Sequence, residues 1–241
     1  MKVELITHTP EPLKVMAWVK GLIEGKHMNL SEISDNFAEE EFIDSLRSAI
    51  YASFEFVHFV FDVTDVPRAF THQFVRTRAA AYMQESLRFS TRKGGFEFET
   101  GPSVSNDPAK LAIYNDLMAS SASAYDALLK MGANTEDARG ILPINILTSI
   151  SQSITYRSLI NVAEQRLCRQ AQGLHQEVLK EMKKLLSEKV HPMLGAYLAP
   201  SCSHTGFCSW GGRLDRPCSL QKIYPMKPDP LAFIEKEKEL L

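Results

Sequence analysis

The 241-residue chain is poor in several things at once. It has four cysteines, Cys168, Cys202, Cys208 and Cys218, too few to staple a chain of this length, so they are expected to be thiols or ligands. It has no uninterrupted apolar run near the roughly 20 residues that span a bilayer, which excludes a helical membrane protein. The N-terminal MKVELITHTP lacks the apolar stretch of a secretory signal, and a cytoplasmic location is expected. It has no surplus of one charge: 27 basic and 29 acidic side chains give a net −2, which argues against a general polyanion binder. It lacks repeats and low-complexity tracts. The 44% hydrophobic and 23% charged residues present are those of a globular protein able to bury a core.

Periodicity sketches an α+β chain. Residues 2–6 read as a strand and 11–24 as an amphipathic helix. Ser34 or Asp35 caps a second helix with Phe42, Ile43, Leu46 and Ile50 on one face. Residues 56–63 alternate as a strand up to Pro67, with a helix over about 68–75 behind it. Gly94-Gly95 marks a turn, and FEFET after it reads as a strand. Asp107-Pro108 opens a long helix that Gly132 closes, and Thr135 is expected to cap a short helix to Arg139. After Pro143 the pattern predicts two helices or one broken helix, the last running from about 155 to 189 and ending at His191-Pro192. From Pro200 an irregular Cys-containing tail leads to a short charged helix at 229–241, whose Glu235–Glu239 run reads as a solvated face. One α+β domain over 1–241 is the economical organisation.

The near-neutral total conceals a cationic island. Between Gln73 and Arg92 stand Arg76, Arg78, Arg88 and Arg92, with Glu85 the only acid; Arg68 precedes them and Lys93 follows. Guanidinium forks suit phosphate oxygens because they donate two parallel hydrogen bonds. If 84–88 is extended, Gln84, Ser86 and Arg88 face one way, converging an amide, a hydroxyl and a cation on one ligand. The pattern alone is equally compatible with a solvated basic face.

Arg76-Thr77-Arg78, seven residues, then Ser86 resembles the R-H-R-x7-S signature of flavin-dependent thymidylate synthases. Gln73 precedes it and Ser86-x-Arg88 closes it as in that family; Ser53 and Glu55 upstream are similar to its S-x-x-E with one residue fewer. Arg139-x-x-Leu142-Pro143 resembles R-x-x-L-P, and Arg157-Ser158-Leu159, Asn161, Arg166 and Ala171-Gln172 follow at the family's spacing. The blocks keep their order from about residue 50 to 218, and the cysteine tail is like one found in some members.

The resemblance implies an antiparallel-rich sheet flanked by long helices, a homotetramer with sites at subunit junctions, and reductive methylation of dUMP to dTMP. Methylenetetrahydrofolate would supply the carbon and NADPH the hydride, through FAD. It implies that Arg166 is catalytic, stabilising negative charge on the pyrimidine. Gln73, Arg76, Gln84, Ser86, Arg88, Arg139 and Arg166 would bind dUMP; Ser53, Glu55, Arg76, Thr77, Arg78, Arg157 and Asn161 would bind FAD. No cysteine lies in the arginine motif, so none is assigned as a nucleophile. Arg157 and Asn161 share a helix face while Arg166, nine residues on, lies half a turn away, which fits a site assembled from several subunits.

Departures cluster around flavin and base. Thr77 replaces the motif histidine, Met83 and Gln84 stand where the family has Asn and Glu, Thr155 stands for Asn, and Tyr51 occupies the place of an upstream histidine. Alternatives are therefore C5 hydroxymethylation of dUMP, or modification of dCMP or UMP. A non-catalytic nucleotide-binding or single-strand-binding module, with Phe74, Tyr82 and Phe89 among arginines, is the reading of a different class; the charge count favours a small nucleotide and neither nucleic acid nor membrane as partner. Cys202, His204, Cys208 and Cys218 are a candidate zinc set of unusual spacing. His58 and His72 read as core or edge residues, and His175 and His191 as helix-surface and helix-end residues.

Overall fold

A computed structural model describes residues 1–208, 218 and 227–239. Along the chain come β1 (Lys2–His8), α1 (Pro12–Ile23), α2 (Asp35–Ser48), a 3-10 turn at Ala52–Phe56, β2 (His58–Pro67), α3 (Arg68–Phe74), β3 (Ala80–Gln84), α4 (Pro102–Ser105) and α5 (Pro108–Lys130). Then follow α6 (Thr135–Ala138), a 3-10 turn at Arg139–Ile141, β4 (Leu147–Thr155), α7 (Tyr156–Arg166), α8 (Gly173–Lys189), α9 (Pro192–Ala196), α10 (Ser201–Thr205) and α11 (Pro230–Lys238). The four strands form one sheet of order β1-β2-β4-β3, antiparallel as expected. Its register is pinned outside the strands by Thr9 N donating to His58 O (3.0 Å), Tyr156 N to Val57 O (2.8 Å) and Arg68 N to Ile146 O (3.1 Å). Among the described residues no helix is long and apolar enough to cross a membrane.

The chain folds into two compact units that interleave in sequence. The first comprises Met1–Lys2, Val63–Arg76 and Tyr82–Ser151. Phe70 and Phe74 stack at 5.1 Å on one face of α3, and Phe74 meets Tyr82 edge-on at 5.4 Å. The Tyr82 hydroxyl donates to Phe74 O (2.9 Å), which ties β3 back to α3. α5 starts where Asp107 accepts from Ala109 N and Lys110 N and stops at Gly132, whose φ of +92° favours a residue without Cβ.

The second unit comprises Val3–Asp62, Thr77–Ala81 and Gln152 onward. Its core is a cluster of aromatic rings: Phe42, Phe54 and Tyr156 lie 5.5–6.1 Å apart, with Phe59 edge-on to Tyr156. The Tyr156 hydroxyl, fully buried, donates to Leu194 O (3.0 Å). α8 and α9 pack so closely that a Cβ on Gly195 would fall 2.4 Å from Lys183 O, so only glycine fits there.

Four expectations need correction. Residues 147–155 are a strand, not part of a helix. FEFET forms one isolated bridge, Phe98 with Ile146, flanked by two main-chain bonds, because Gly94-Gly95 and Gly101-Pro102 confine it. Asn134, not Thr135, caps α6, accepting from Asp137 N. The helix expected over 155–189 is broken at 167–172 into α7 and α8.

Candidate functional site

The first unit gathers arginines around a cavity of about 380 Å³ lined by Arg68, His72, Leu87, Glu136, Arg139 and Gly140, among others. Arg68 begins α3, and Arg139 begins the 3-10 turn after α6. Burial lowers the proton affinity of Arg68, the carboxylate of Glu85 opposes this, and the charges of Arg139 and Arg92 lower it further. Two guanidiniums that disfavour one another beside a small cavity are a place where an anion relieves repulsion. Arg88 is exposed and reaches the same region through Glu136, 3.4 Å from its Nη2, while Thr135 Oγ1 donates to Arg88 O (2.9 Å).

The segment carrying Ser86 and Arg88 is not extended. β3 ends at Gln84, and Phe89 N and Ser90 N both donate to Ser86 O (3.1 and 2.8 Å), closing a turn. Ser86 Oγ accepts from Arg88 N (3.2 Å), the local bond that favours this turn over a strand. Gln84 consequently does not join Ser86 and Arg88 on one face; its amide donates to Thr71 Oγ1 on α3 (2.8 Å). Glu85 braces the turn, accepting from Ser90 Oγ (2.6 Å), Arg92 Nη2 (2.8 Å) and Thr148 Oγ1 (3.3 Å). Burial pushes the Glu85 carboxyl up, but those bonds and the Arg92 charge together hold it below its ordinary value. Gln73 and Arg76 are exposed at and beyond the end of α3 and do not line the cavity. A larger cavity of about 640 Å³ in the same unit is lined by Asp65, Glu85, Arg92, Gly94, Glu97 and Thr148 among others. Of its lining, Glu85, Thr91 and Arg92 belong to the arginine segment.

The second unit presents a different grouping on α7. Thr155 caps this helix, accepting from Ser158 N (3.2 Å) and donating to Glu55 Oε2 (2.8 Å). The Arg157 guanidinium lies 4.4 Å over the Tyr51 ring, and Tyr51 packs on Phe54 at 5.5 Å. The Tyr197 hydroxyl is pushed well up, first by burial and then by its neighbour and hydrogen-bond partner Tyr51. Asn161 is exposed one turn beyond Arg157, and Arg166 is the last residue of α7, half-buried. Thr77 is half-buried and Arg78 exposed in the turn before β3. Ser53 is buried, and its hydroxyl has no partner among the described residues. His175 is not a surface residue: it is fully buried in α8, and burial, with Arg166 adding, depresses its pKa to about 4.

Among the described residues no three His, Cys, Asp or Glu side chains already gather around a point where a metal ion would sit. His204 is taken: Nδ1 pairs with Glu164 Oε1 (3.1 Å), Nε2 with Tyr197 O (2.9 Å), and the ring stacks on Tyr197. No metal is the first expectation, and the alternative zinc set of Cys202, His204, Cys208 and Cys218 loses its nitrogen ligand.

Sequence reasoning missed Arg68 as a cavity residue, although it stands just before the cationic island, and missed Tyr51 as the platform under Arg157. The described residues thus present an arginine-lined cavity in one unit and, in the other, a helix bearing further cations and an amide. The family described as thymidylate synthase complementing protein matches residues 4–193. The flavin-dependent thymidylate synthase of Geobacter sulfurreducens is 32% identical over 217 residues, covering 88% of this chain and 92% of that protein. Those of Nitratidesulfovibrio vulgaris (32% over 230 residues; 88% and 92% covered) and Clostridium tetani (31% over 249 residues; 93% and 97%) are similarly related. The chain belongs to this family.

Proposed function

We propose that the protein is a flavin-dependent enzyme that converts dUMP to dTMP, with methylenetetrahydrofolate as carbon donor and NADPH as reductant. The observation that carries the reading is the arginine cavity of the first unit in a chain matched to the family over residues 4–193. Arg139 and Arg68 hold the nucleotide's phosphate, with the Ser86 hydroxyl and Arg88 closing on it; Glu136 neutralises Arg88 until the nucleotide arrives. Gln73, Arg76 and Gln84 belong to the nucleotide's surroundings by family resemblance.

The second unit's donor set fits a flavin. The Ser53 hydroxyl lacks a partner, Asn161 and Arg78 are exposed, and Arg157 is oriented by the Tyr51 ring. These residues, with Glu55 and Thr77, would hold it, and Arg76 belongs to the flavin's surroundings by family resemblance; a bound flavin supplies hydride transfer. Uracil C5 is a weak nucleophile, and a fixed cation at the pyrimidine edge lowers the cost of the negative charge that develops during activation. Arg166 takes that role. The buried, neutral His175 beside it adds no competing positive charge near neutral pH. A homotetramer is proposed with it; α5 leaves Ile113 and Leu117 73% and 64% exposed, an apolar face that an assembly would cover.

The test is mass spectrometry of the product from dUMP, dCMP and UMP offered separately with FAD, methylenetetrahydrofolate and NADPH. The expected result is yellow protein and dTMP from dUMP. Colourless protein that takes up no FAD sinks the reading. A product one oxygen heavier than dTMP replaces it with hydroxymethylation, which the Thr77 and Gln84 exchanges would then explain.

A further inference from the structure

The short helix α3 turns two faces to two environments. Phe70 and Phe74, four residues apart, are fully buried and stack on each other at 5.1 Å. Arg68 and His72, also four apart, are offset from that pair by two residues, about 200° around the helix axis. The offset sets them on the side away from the core, where both line the cavity of about 380 Å³ together with Arg139. The start of the helix is tied down: Arg68 N donates to Ile146 O (3.1 Å) and Ala69 N to Ile144 O (2.7 Å). Arg68 Nη1 donates to Glu85 O (3.3 Å), which holds its guanidinium beside the turn that carries Ser86. Phosphate binding by Arg68, Arg139, Ser86 and Arg88 leaves His72 without a role. We propose that His72 is a further phosphate-binding residue of this cavity, taking up a proton as a phosphate monoester dianion enters. This role rests on the nucleotide reading of the same cavity.

His72 differs in kind from the charged groups around it. It is exposed, and its ring makes no hydrogen bond among the described residues. The charges that share the cavity with it are Arg68 on α3 itself, Glu136 on α6 and Arg139 on the 3-10 turn that follows. Arg88, on the Ser86 turn, reaches them through Glu136 (3.4 Å), and Glu85 and Arg92 act on Arg68 through their charges. A guanidinium keeps its charge throughout the working range of pH, whereas the charge of an imidazole answers to its surroundings near neutral pH. Without an anion, a proton on His72 meets a Glu136 already paired with Arg88, and two guanidiniums in the same cavity. A phosphate dianion brings acceptor oxygens and two negative charges into their midst. Leu87 and Leu142 also line the cavity, and apolar walls strengthen such a contact. Binding therefore draws a proton onto His72, and the protonated ring donates to the phosphate.

The test is calorimetry of the full-length protein with dUMP, in two buffers of different ionisation enthalpy at about pH 7.5. The phosphate is then already dianionic, its second pKa being about 6, so any proton counted goes to the protein. Net uptake of up to about one proton per dUMP is expected. His72→Gln keeps a donor but carries no charge; it should abolish the uptake and weaken binding about threefold to tenfold. His72→Arg, with a fixed charge, should restore the affinity and still show no uptake. Because His72 is exposed, both exchanges should leave thermal unfolding where it is. Binding without uptake in the parent, or uptake unchanged in His72→Gln, overturns the proposal and leaves the nucleotide reading standing. If dUMP does not bind, that reading falls, and methyl phosphate in the same two buffers decides the role of His72 by itself. Uptake with methyl phosphate that His72→Gln abolishes upholds it; no binding, or binding without uptake, overturns it.

Discussion

The cations around the first unit's cavity and those on α7 of the second unit are held in place by different forces. Arg88 and Ser86 sit on a turn fixed by a handful of hydrogen bonds, with Glu85 as its brace. Arg157, Asn161 and Arg166 ride on one regular helix whose other face, from Tyr156 to Ala163, is buried in packed rings and aliphatics. Geometry made from few bonds is cheap to perturb without unfolding the chain; geometry made from packing is not. Substitutions in the first unit should thus read out in ligand affinity, and substitutions behind α7 in stability.

The largest separation is expected from Phe54→Ala. Phe54 is fully buried against Phe42, Tyr156 and Tyr51, and truncating it should cost about 3–5 kcal/mol in denaturant unfolding. A loss below about 1 kcal/mol would mean that packing does not set the second unit's geometry. Next comes Arg166→Ala, expected to lower kcat by about 10²- to 10³-fold with little change in KM for dUMP. An effect confined to KM would leave Arg166 with a binding role alone. The third is a pH effect. His175 has a pKa of about 4 in the folded chain against 6.5 ordinarily, so the unfolded chain takes up the proton first as pH falls. Stability is whole above about 6.5 and declines by about 3 kcal/mol as pH drops through about 4. His175→Leu should flatten that part of a pH-dependent melting curve, and an unchanged slope would show that another group carries it. Fourth, Arg139→Ala should weaken dUMP binding about 10- to 100-fold by calorimetry and leave unfolding nearly untouched.

The two units were also unequally legible in sequence. α5 was found at both ends because Asp107-Pro108 and Gly132 are local signals acting on their own backbone. β2 was found because its alternation of apolar and polar residues has period two. β4 was missed for a specific reason: its buried series is Thr148, Ile150, Gln152 and Ile154, half polar, and Ile146, Ile150 and Ile154 recur every four residues as on a helix. Only cross-strand pairing decides between those periods. The arginines of the first unit were visible as a local charge density, but their gathering was not. Arg68 and Arg139 lie 71 positions apart, and the turn at Ser86 replaces the extended run that would have aligned Gln84 with Ser86 and Arg88. The family blocks named most of the candidate residues; they did not show that Tyr51 supports Arg157 or that Gln84 is spent on Thr71.

The smallest expected effect tests the comparison most sharply. Glu85→Gln keeps the size and shape of the side chain and removes the charge that Arg92, Ser90 and Thr148 converge on. If the Ser86–Arg88 turn depends on that brace, KM for dUMP should rise about threefold to tenfold. The cost in stability should be about 1 kcal/mol, since both partners of the Glu85–Arg92 pair are only half-buried. Because the brace touches neither the base nor α7, kcat at saturating dUMP should stay within about twofold of the parent. Added salt should not mimic the variant, because a half-buried carboxylate that accepts three hydrogen bonds is weakly screened. An unchanged KM would show that the main-chain bonds from Phe89 N and Ser90 N to Ser86 O hold the turn unaided. The first unit's site would then be as firmly built as the second's.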